Sequence, residues 1–371
     1  MSTTEPRQWL VMEPFDSGPE TLYRARVAAA GRCLPPTRLS TADLMASTRH
    51  RTNIDLERLT GIHERRVSDG TDDSLSLAVG AARDCLAHSG RGAEDLDAVI
   101  SCSITKFHDG LVQWLEPPMS IAVANAIGSH RAVTFDVSNA CAGMLTGVFI
   151  LNNWIRQGLI RRGMVVSGEY ISPVERNASA HIRSILSREL ASLTLGDAGA
   201  ALILERAAPD TKGIELIGFT TIAEHSRLCL AYPASHEGGA RMFTRSQALQ
   251  RAAIKDTVPL LKEVLDAAGF GISDIDHVIP HQTSARAIRK GMGEVTRALG
   301  GEPRRPAVVT VDHFGNTAST THTVALIEEM EAGRVAAGDQ VALIALASGL
   351  VIGVVLFTAD EELVGSYGNH D

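Results

Sequence analysis

Two blocks of this chain match one another at a long, fixed separation, and that narrows the possible folds more than any single motif. In residues 74–90, Leu75, Val79, Ala82 and Leu86 fall on one helical face. In residues 253–269, Ile254, Val258, Leu261 and Leu265 repeat that spacing 179 positions later. Gly90 and Gly269 end the two runs at the same offset, where glycine suits a left-handed helix cap. Each is followed by an acidic turn and a short β-rich run, Asp95-Leu96-Asp97-Ala98-Val99-Ile100 and Asp274-Ile275-Asp276-His277-Val278-Ile279. Pro259 lies inside the second helix, and a kink is expected there. Residues 157–166 resemble residues 332–341 at an offset of 175, each a helix end, a turn and a strand start. A period this long is not a solenoid. It describes two copies of one unit in which strands and helices alternate.

The 371 residues, 44% of them hydrophobic, are enough for one large or two fused domains with a sizeable core. A net charge of −8 and 4% aromatic residues argue against nucleic acid as a partner. No apolar run has membrane length and no signal-peptide pattern opens the chain, so a cytoplasmic protein without a membrane span is expected. The five cysteines (Cys33, Cys85, Cys102, Cys141 and Cys229) are scattered and form no CxxC pair. Neither a zinc site nor a disulfide framework is indicated, and no metal is expected.

The repeat places chemistry at matching points. At the 175 offset Cys141 falls on Asn316, and each follows a β-like run (Ala132-Val133-Thr134-Phe135 and Val308-Val309-Thr310-Val311) and opens a helix. At the 179 offset Cys102 falls on His281. Carboxyl ends of strands are where sites assemble in α/β folds. A thiol at a helix N-terminus is expected to be shifted towards thiolate by the dipole and the free N–H groups. A histidine moves a proton or binds a carbonyl oxygen, and an asparagine amide adds a donor. Taken singly, Cys141 would be a core residue, His281 a satisfied buried histidine and Asn316 a turn residue. Together at corresponding junctions they suit acyl transfer onto sulfur and stabilisation of a thioester enolate.

Five pieces in order over residues 22–358 resemble the thiolase superfamily, in its ketoacyl synthase III branch. They are Thr60-Gly61-Ile62-His63-Glu64-Arg65-Arg66, Ala140-Cys141-Ala142-Gly143, Leu195-Gly196-Asp197-Ala198-Gly199-Ala200-Ala201, His281-Gln282 and Gly315-Asn316-Thr317. The resemblance implies an α/β thiolase fold, two duplicated βαβαβαββ halves in a five-layered αβαβα sandwich, usually dimeric. It implies an N-terminal extension (1–21), a half carrying the nucleophile (22–207), a half carrying His281 and Asn316 (208–358) and a tail (359–371). Cys141 would accept the acyl group, and His281 and Asn316 would polarise a second thioester. The backbone N–H groups of Cys141 and Ser348 would form the oxyanion hole. Gly349, beside Ser348, and Arg286, five residues past His281, would contact substrate, Arg286 through a phosphate of CoA or of a carrier protein.

Two departures separate the chain from the acetyl-CoA-primed housekeeping synthase. Asp55 and Leu59 stand where that enzyme clamps adenine with tryptophan and arginine, and Ala347-Ser348-Gly349-Leu350 replaces GGGF. Three stretches are similar instead to the head-to-head acyl-CoA condensing enzymes of olefin and β-lactone pathways, the OleA type. They are Trp114-Leu115-Glu116-Pro117-Pro118, residues 134–141 and residues 188–196. That likeness implies Glu116 as the base that crosses a dimer interface to deprotonate the second acyl chain. The expected protein is a cofactor-free acyltransferase using acyl-CoA or acyl-carrier-protein thioesters, as a homodimer or with a related subunit. The alternatives are decarboxylative condensation with a malonyl thioester, acyl transfer to a natural-product alcohol or amine, and a non-catalytic heterodimer partner.

Overall fold

The long strands of this chain are apolar nearly end to end, the pattern of sheets covered on both faces. The computed structural model of the protein describes residues 10–11, 23–108 and 111–367. In chain order the strands that position the site are β1 (Leu10–Val11), β2 (Ala25–Cys33), β3 (Ala98–Ser101), β4 (Val133–Asp136), β5 (Arg162–Glu169), β6 (Ala198–Arg206), β7 (Ile214–Thr221), β8 (Cys229–Pro233), β9 (Ala240–Thr244), β10 (His277–Pro280), β11 (Gln340–Ala347) and β12 (Val351–Thr358). The corresponding helices are α1 (Ser74–Ser89), α2 (Gly143–Arg156), α3 (Ser172–His181), α4 (Ser246–Ala268), α5 (Ala285–Leu299) and α6 (Thr321–Glu331).

One sheet has the order β2-β6-β5-β3-β4 and the other β1-β7-β12-β11-β10. In the first, β2, β6 and β5 are antiparallel neighbours, whereas β5, β3 and β4 run parallel. In the second, β7, β12 and β11 repeat the antiparallel part and β11–β10 the parallel part. The halves therefore share one strand order, as the repeat predicts. The counterpart of β4 is an extended segment: Val308 N–H donates to the Val278 carbonyl at 2.9 Å. The Gln282 amide holds this segment, donating to the carbonyls of Pro280 (2.8 Å) and Val308 (3.0 Å) and accepting from the N–H groups of Thr310 (2.9 Å) and Val311 (3.2 Å).

Helices α2 and α6 lie between the sheets, each touching strands of both. Helix α1 covers the outer face of the first sheet, and α4, with α5 against it, covers the second. That is the five-layered sandwich implied by the resemblance. The central core runs through Leu145, Val148, Leu151, Leu326, Ile327, Val355 and Phe357, and each such side chain contributes roughly 1.5–3 kcal/mol on burial. Gly90 (φ 60°) and Gly269 (φ 72°) cap α1 and α4 in the left-handed conformation, and α4 runs unbroken through Pro259.

Segments from the expected extension and tail pack on the halves. Within the expected extension 1–21, Leu10 and Val11 pair antiparallel with Phe219 and Gly218, adding a strand to the second sheet; the rest of 1–21 lies outside the described residues. The tail docks back on the first half, where Arg26 on β2 pairs with Asp360 (2.7 Å) and the Tyr367 hydroxyl donates to the Ala30 carbonyl.

Helix α1 approaches the first sheet at backbone distance because glycines line the contact. A Cβ at Gly199 would stand 2.0 Å from the Leu77 carbonyl oxygen, and one at Gly168 would stand 1.9 Å from that of Ser74. Neither neighbour can withdraw without moving the helix. Gly199→Ala is expected to cost about 1–3 kcal/mol, read as a lower midpoint in chemical denaturation. An unchanged midpoint would mean that α1 is free to shift.

Candidate active site

The end of β4 leads into a sharp turn. Ala140 adopts φ 46°, a left-handed conformation uncommon outside glycine, and opens the 3-10 turn Ala140–Ala142 that runs into α2. Ala318 does the same at φ 56°, opening the turn Ala318–Thr320 before α6. The two elbows pack against each other. Their matching features are 178 residues apart, not 175, so the counterpart of Cys141 is Ser319. The expected match with Asn316 is thus corrected. The short helical turn Val311–Phe314 supplies the extra residues and sets Asn316 just ahead of the second elbow.

Cys141 is partly buried and packs against the cluster of Ile171, Val174, Leu195 and Ala318, against which Ala240 and Met242 of β9 also pack. Its thiol is pushed well above the ordinary range, first by burial and then by the negative charge of Glu169, with Cys229 adding to the effect. The expected drift towards thiolate does not occur in this resting state: desolvation outweighs a helix terminus that begins with a tight 3-10 turn. Cys141 waits as a thiol, and its proton must leave as the bond to the acyl carbon forms.

His281 follows β10 and is buried. Its N–H donates to the Ile344 carbonyl at 2.8 Å. The same carbonyl accepts from Nε2 of His322 in the first turn of α6, at 3.0 Å, and the two imidazoles stack with centroids 5.8 Å apart. Burial, reinforced by His322, lowers the pKa of His281 to about 3, and burial lowers that of His322 to about 4. Both rings are neutral near pH 7, and Nδ1 of each has no partner among the described residues. A neutral imidazole offers one donor and one acceptor, so His281 can hydrogen-bond an oxyanion or take a proton.

Asn316 is fixed by its backbone. Its N–H donates to the Thr194 carbonyl (2.7 Å), and its carbonyl accepts from Gly196 N–H (3.1 Å). Its side-chain Oδ1 accepts from Ala318 N–H at 3.0 Å, which ties it to the second elbow. The sequence motifs around it serve this placement. Asp197 is buried and accepts from the N–H groups of Ser68, Ile171 and Ser172 at 2.7–2.8 Å. Arg65 is fully buried, donates to Thr41 Oγ1 and the Leu193 carbonyl, and lies against the Gly196 and Gly315 backbone.

Ser348 and Gly349 form the turn joining β11 to β12, and both strands touch the Cys141 elbow. Cys141, His281, Asn316 and Ser348 thus come from segments that meet around the two elbows. Glu116 does not join them within the chain: it is exposed on the loop before the helix Met119–Ile127. Arg286 lies in the first turn of α5, exposed and without an ion pair among the described residues. Cys102 is a packing residue, fully buried beneath Gly143 and Gly147. Glu169, Ser319, His322 and Cys229 were not anticipated. For Glu169 a signal was present, an acid directly ending the apolar run of β5.

Known proteins resemble this chain over most of its length. Residues 135–224 match the 3-oxoacyl-[acyl-carrier-protein (ACP)] synthase III family, and residues 265–359 match its C-terminal domain. The chain is 30% identical over 329 residues to the beta-ketoacyl-[acyl-carrier-protein] synthase III of Symbiobacterium thermophilum, covering 82% of this chain and 92% of that one. It is 27% identical over 341 residues to the enzyme of that name from Erythrobacter litoralis, covering 90% and 99%. Among solved structures, cerulenin-bound OleA of Xanthomonas campestris superposes with TM-score 0.80 at 23% identity, over 93% of this chain and all of that one. The 3-oxoacyl-[acyl-carrier-protein] synthase III of Aquifex aeolicus superposes with TM-score 0.76 at 24% identity, over 90% and 100%. At these identities the structural likeness establishes the thiolase fold.

The neutral histidine pair makes stability depend on pH. An unfolded histidine gains its proton near pH 6.5, whereas the folded His281 and His322 resist protonation to about 3 and 4. Their contribution is therefore complete above pH 6.5 and is lost as the pH falls towards those values. At pH 5 each should cost about 2 kcal/mol relative to pH 7. Unfolding free energy measured at the two pH values should fall, and His322→Gln should reduce the fall. An equal fall in the variant would mean that His322 charges readily in the fold.

Proposed function

This chain belongs to the 3-oxoacyl-[acyl-carrier-protein] synthase III family of condensing acyltransferases, and we propose that it joins two acyl thioesters without decarboxylation, with Cys141 as the acyl acceptor. The observation that carries the reading is the Cys141 elbow packed against the second elbow, with Asn316 just ahead of that elbow and the neutral, buried His281 stacked on His322 in the helix that follows it. Cys141 Sγ attacks the first thioester, the carrier thiol leaves, and the Cys141 proton goes with it. The tetrahedral oxyanion is held by the backbone N–H groups of Cys141 and Ser348. A second thioester then enters, and its carbonyl oxygen is bound by His281 and the Asn316 amide. Loss of an α-proton makes it a carbon nucleophile, which attacks the acyl group on Cys141. Collapse of that intermediate breaks the C–S bond, and the Cys141 sulfur is reprotonated. The product is a β-keto thioester, and no cofactor enters these steps.

The proton acceptor in this scheme is Glu116 of a second copy. What supports it is the apolar exposure on and beside that loop: Leu115 is 78% exposed, Val112 is exposed just before it and Ile121 on the helix that follows, a surface suited to a homodimer contact. A carboxylate covered by such a contact becomes more basic, which suits removal of a weakly acidic C–H proton. Arg286, exposed on α5, would bind a phosphate of the carrier, with Gly349 against the substrate.

Two variants test the scheme. Incubated with acyl-CoA, the protein should gain one acyl mass, and Cys141→Ala should abolish the gain; labelling of Cys102 instead would overturn the assignment. Glu116→Gln should leave that acylation intact and reduce C–C bond formation between two acyl-CoAs at least a hundredfold, on the scale of a lost general base. Product formation from malonyl thioesters alone would establish the decarboxylative reaction in its place, and a Glu116→Gln variant that still joins two acyl-CoAs would rule out Glu116 as the base.

A further inference from the structure

The scheme leaves one buried acid unused. Glu169 closes β5 and is fully buried. Its Oε1 accepts from Ile104 N–H at 2.9 Å and from the Ser319 hydroxyl, with the Ser167 hydroxyl at 3.3 Å. Its Oε2 accepts from Thr105 N–H at 3.1 Å and from the Thr105 hydroxyl at 2.9 Å. The hydroxyls of Ser167 and Ser319 are themselves 2.7 Å apart. Each carboxyl oxygen thus faces an N–H donor that cannot turn away; burial pushes the carboxyl pKa up, and the hydrogen bonds from Ile104, Ser319 and Thr105 act against that shift.

The partners of Glu169 come from two places. Residues 104, 105 and 167 belong to the first half, and Ser319 sits on the second elbow. Ser319 is also the counterpart of Cys141, one residue past a left-handed alanine. Where the first half presents a reactive side chain, the second half turns the equivalent side chain into an anchor. Ala318, next to that anchor, belongs to the apolar cluster against which Cys141 packs.

Building on the reading of Cys141 as acyl acceptor, we propose that Glu169 is a positioning residue for it. Through Ser319 it ties the second elbow to the first half. The anchor keeps the two elbows at one spacing, so that Cys141 is held where the acyl carbon arrives.

The test separates anchoring at the site from general stability. Acylation of Cys141 by acyl-CoA, followed by intact mass, reads the reaction, and the midpoint of chemical denaturation reads the fold. In Ser319→Ala acylation should slow on the order of tenfold while the denaturation midpoint stays near that of the wild type, and Ser319→Thr, which keeps the hydroxyl, should recover most of the rate. In Glu169→Gln, whose amide nitrogen cannot accept from the N–H of Ile104 or Thr105, acylation should slow as well. Wild-type acylation in Ser319→Ala or in Glu169→Gln would overturn the proposal. Should Glu169→Gln fail to fold, Ser319→Ala decides alone. A wild-type protein that takes up no acyl group would instead refute the Cys141 reading, a separate and recognisable outcome.

Discussion

The placement of Asn316 depends on one stretch of backbone pairing, its two hydrogen bonds to residues 194 and 196. The halves also meet at the His63 N–H on the Asp312 carbonyl (2.8 Å), at Ser319 on Glu169 and through the apolar helices α2 and α6, and apolar burial is strong but non-directional. It would tolerate small rotations of one half against the other. Hydrogen bonds with fixed donors and acceptors do not. The pairing is possible because Gly196 and Gly315 have no side chain: a Cβ on Gly196 would stand 2.2 Å from the Phe314 carbonyl oxygen, and one on Gly315 would stand 2.9 Å from that of Thr194. Arg65 fills the space behind them. The glycines of two separate motifs are therefore one device, which sets Asn316 and the second elbow against the first.

Much of this was legible in the sequence, because it rests on periodicity and on glycine. The repeated amphipathic helices and their glycine caps revealed the duplication, and the shared strand order followed from it. The register of the repeat at the site was not legible. Blocks at 179 and 175 bracket the elbows, but the elbows themselves match at 178, after a short helical turn that the first half lacks. Their positive φ angles fall on Ala140 and Ala318, and alanine gives no hint of a left-handed conformation, as glycine or asparagine would.

The state of the thiol was misjudged for a different reason. A helix start argues for thiolate, but burial and Glu169 act the other way, and both come from parts of the chain distant in sequence. Gln282 is similar: adjacent to His281, it reads as part of a motif for chemistry, yet its four hydrogen bonds replace a missing strand. The role proposed for Glu116 turns on a second copy of the chain, and no periodicity within one copy reports on that.

The unequal elbows have a kinetic meaning. A duplicated fold could have offered two covalent seats, but the hydroxyl of Ser319 is buried and already engaged by Glu169. On the proposed reading each chain then loads one acyl group at a time. The first carrier must depart before the second donor can use the same entrance, so turnover follows a ping-pong order. The free carrier thiol becomes a competitor for the loaded enzyme, able to return the acyl group to solution. Commitment to product is decided by a race at Cys141, between the thiol that has just left and the second thioester arriving.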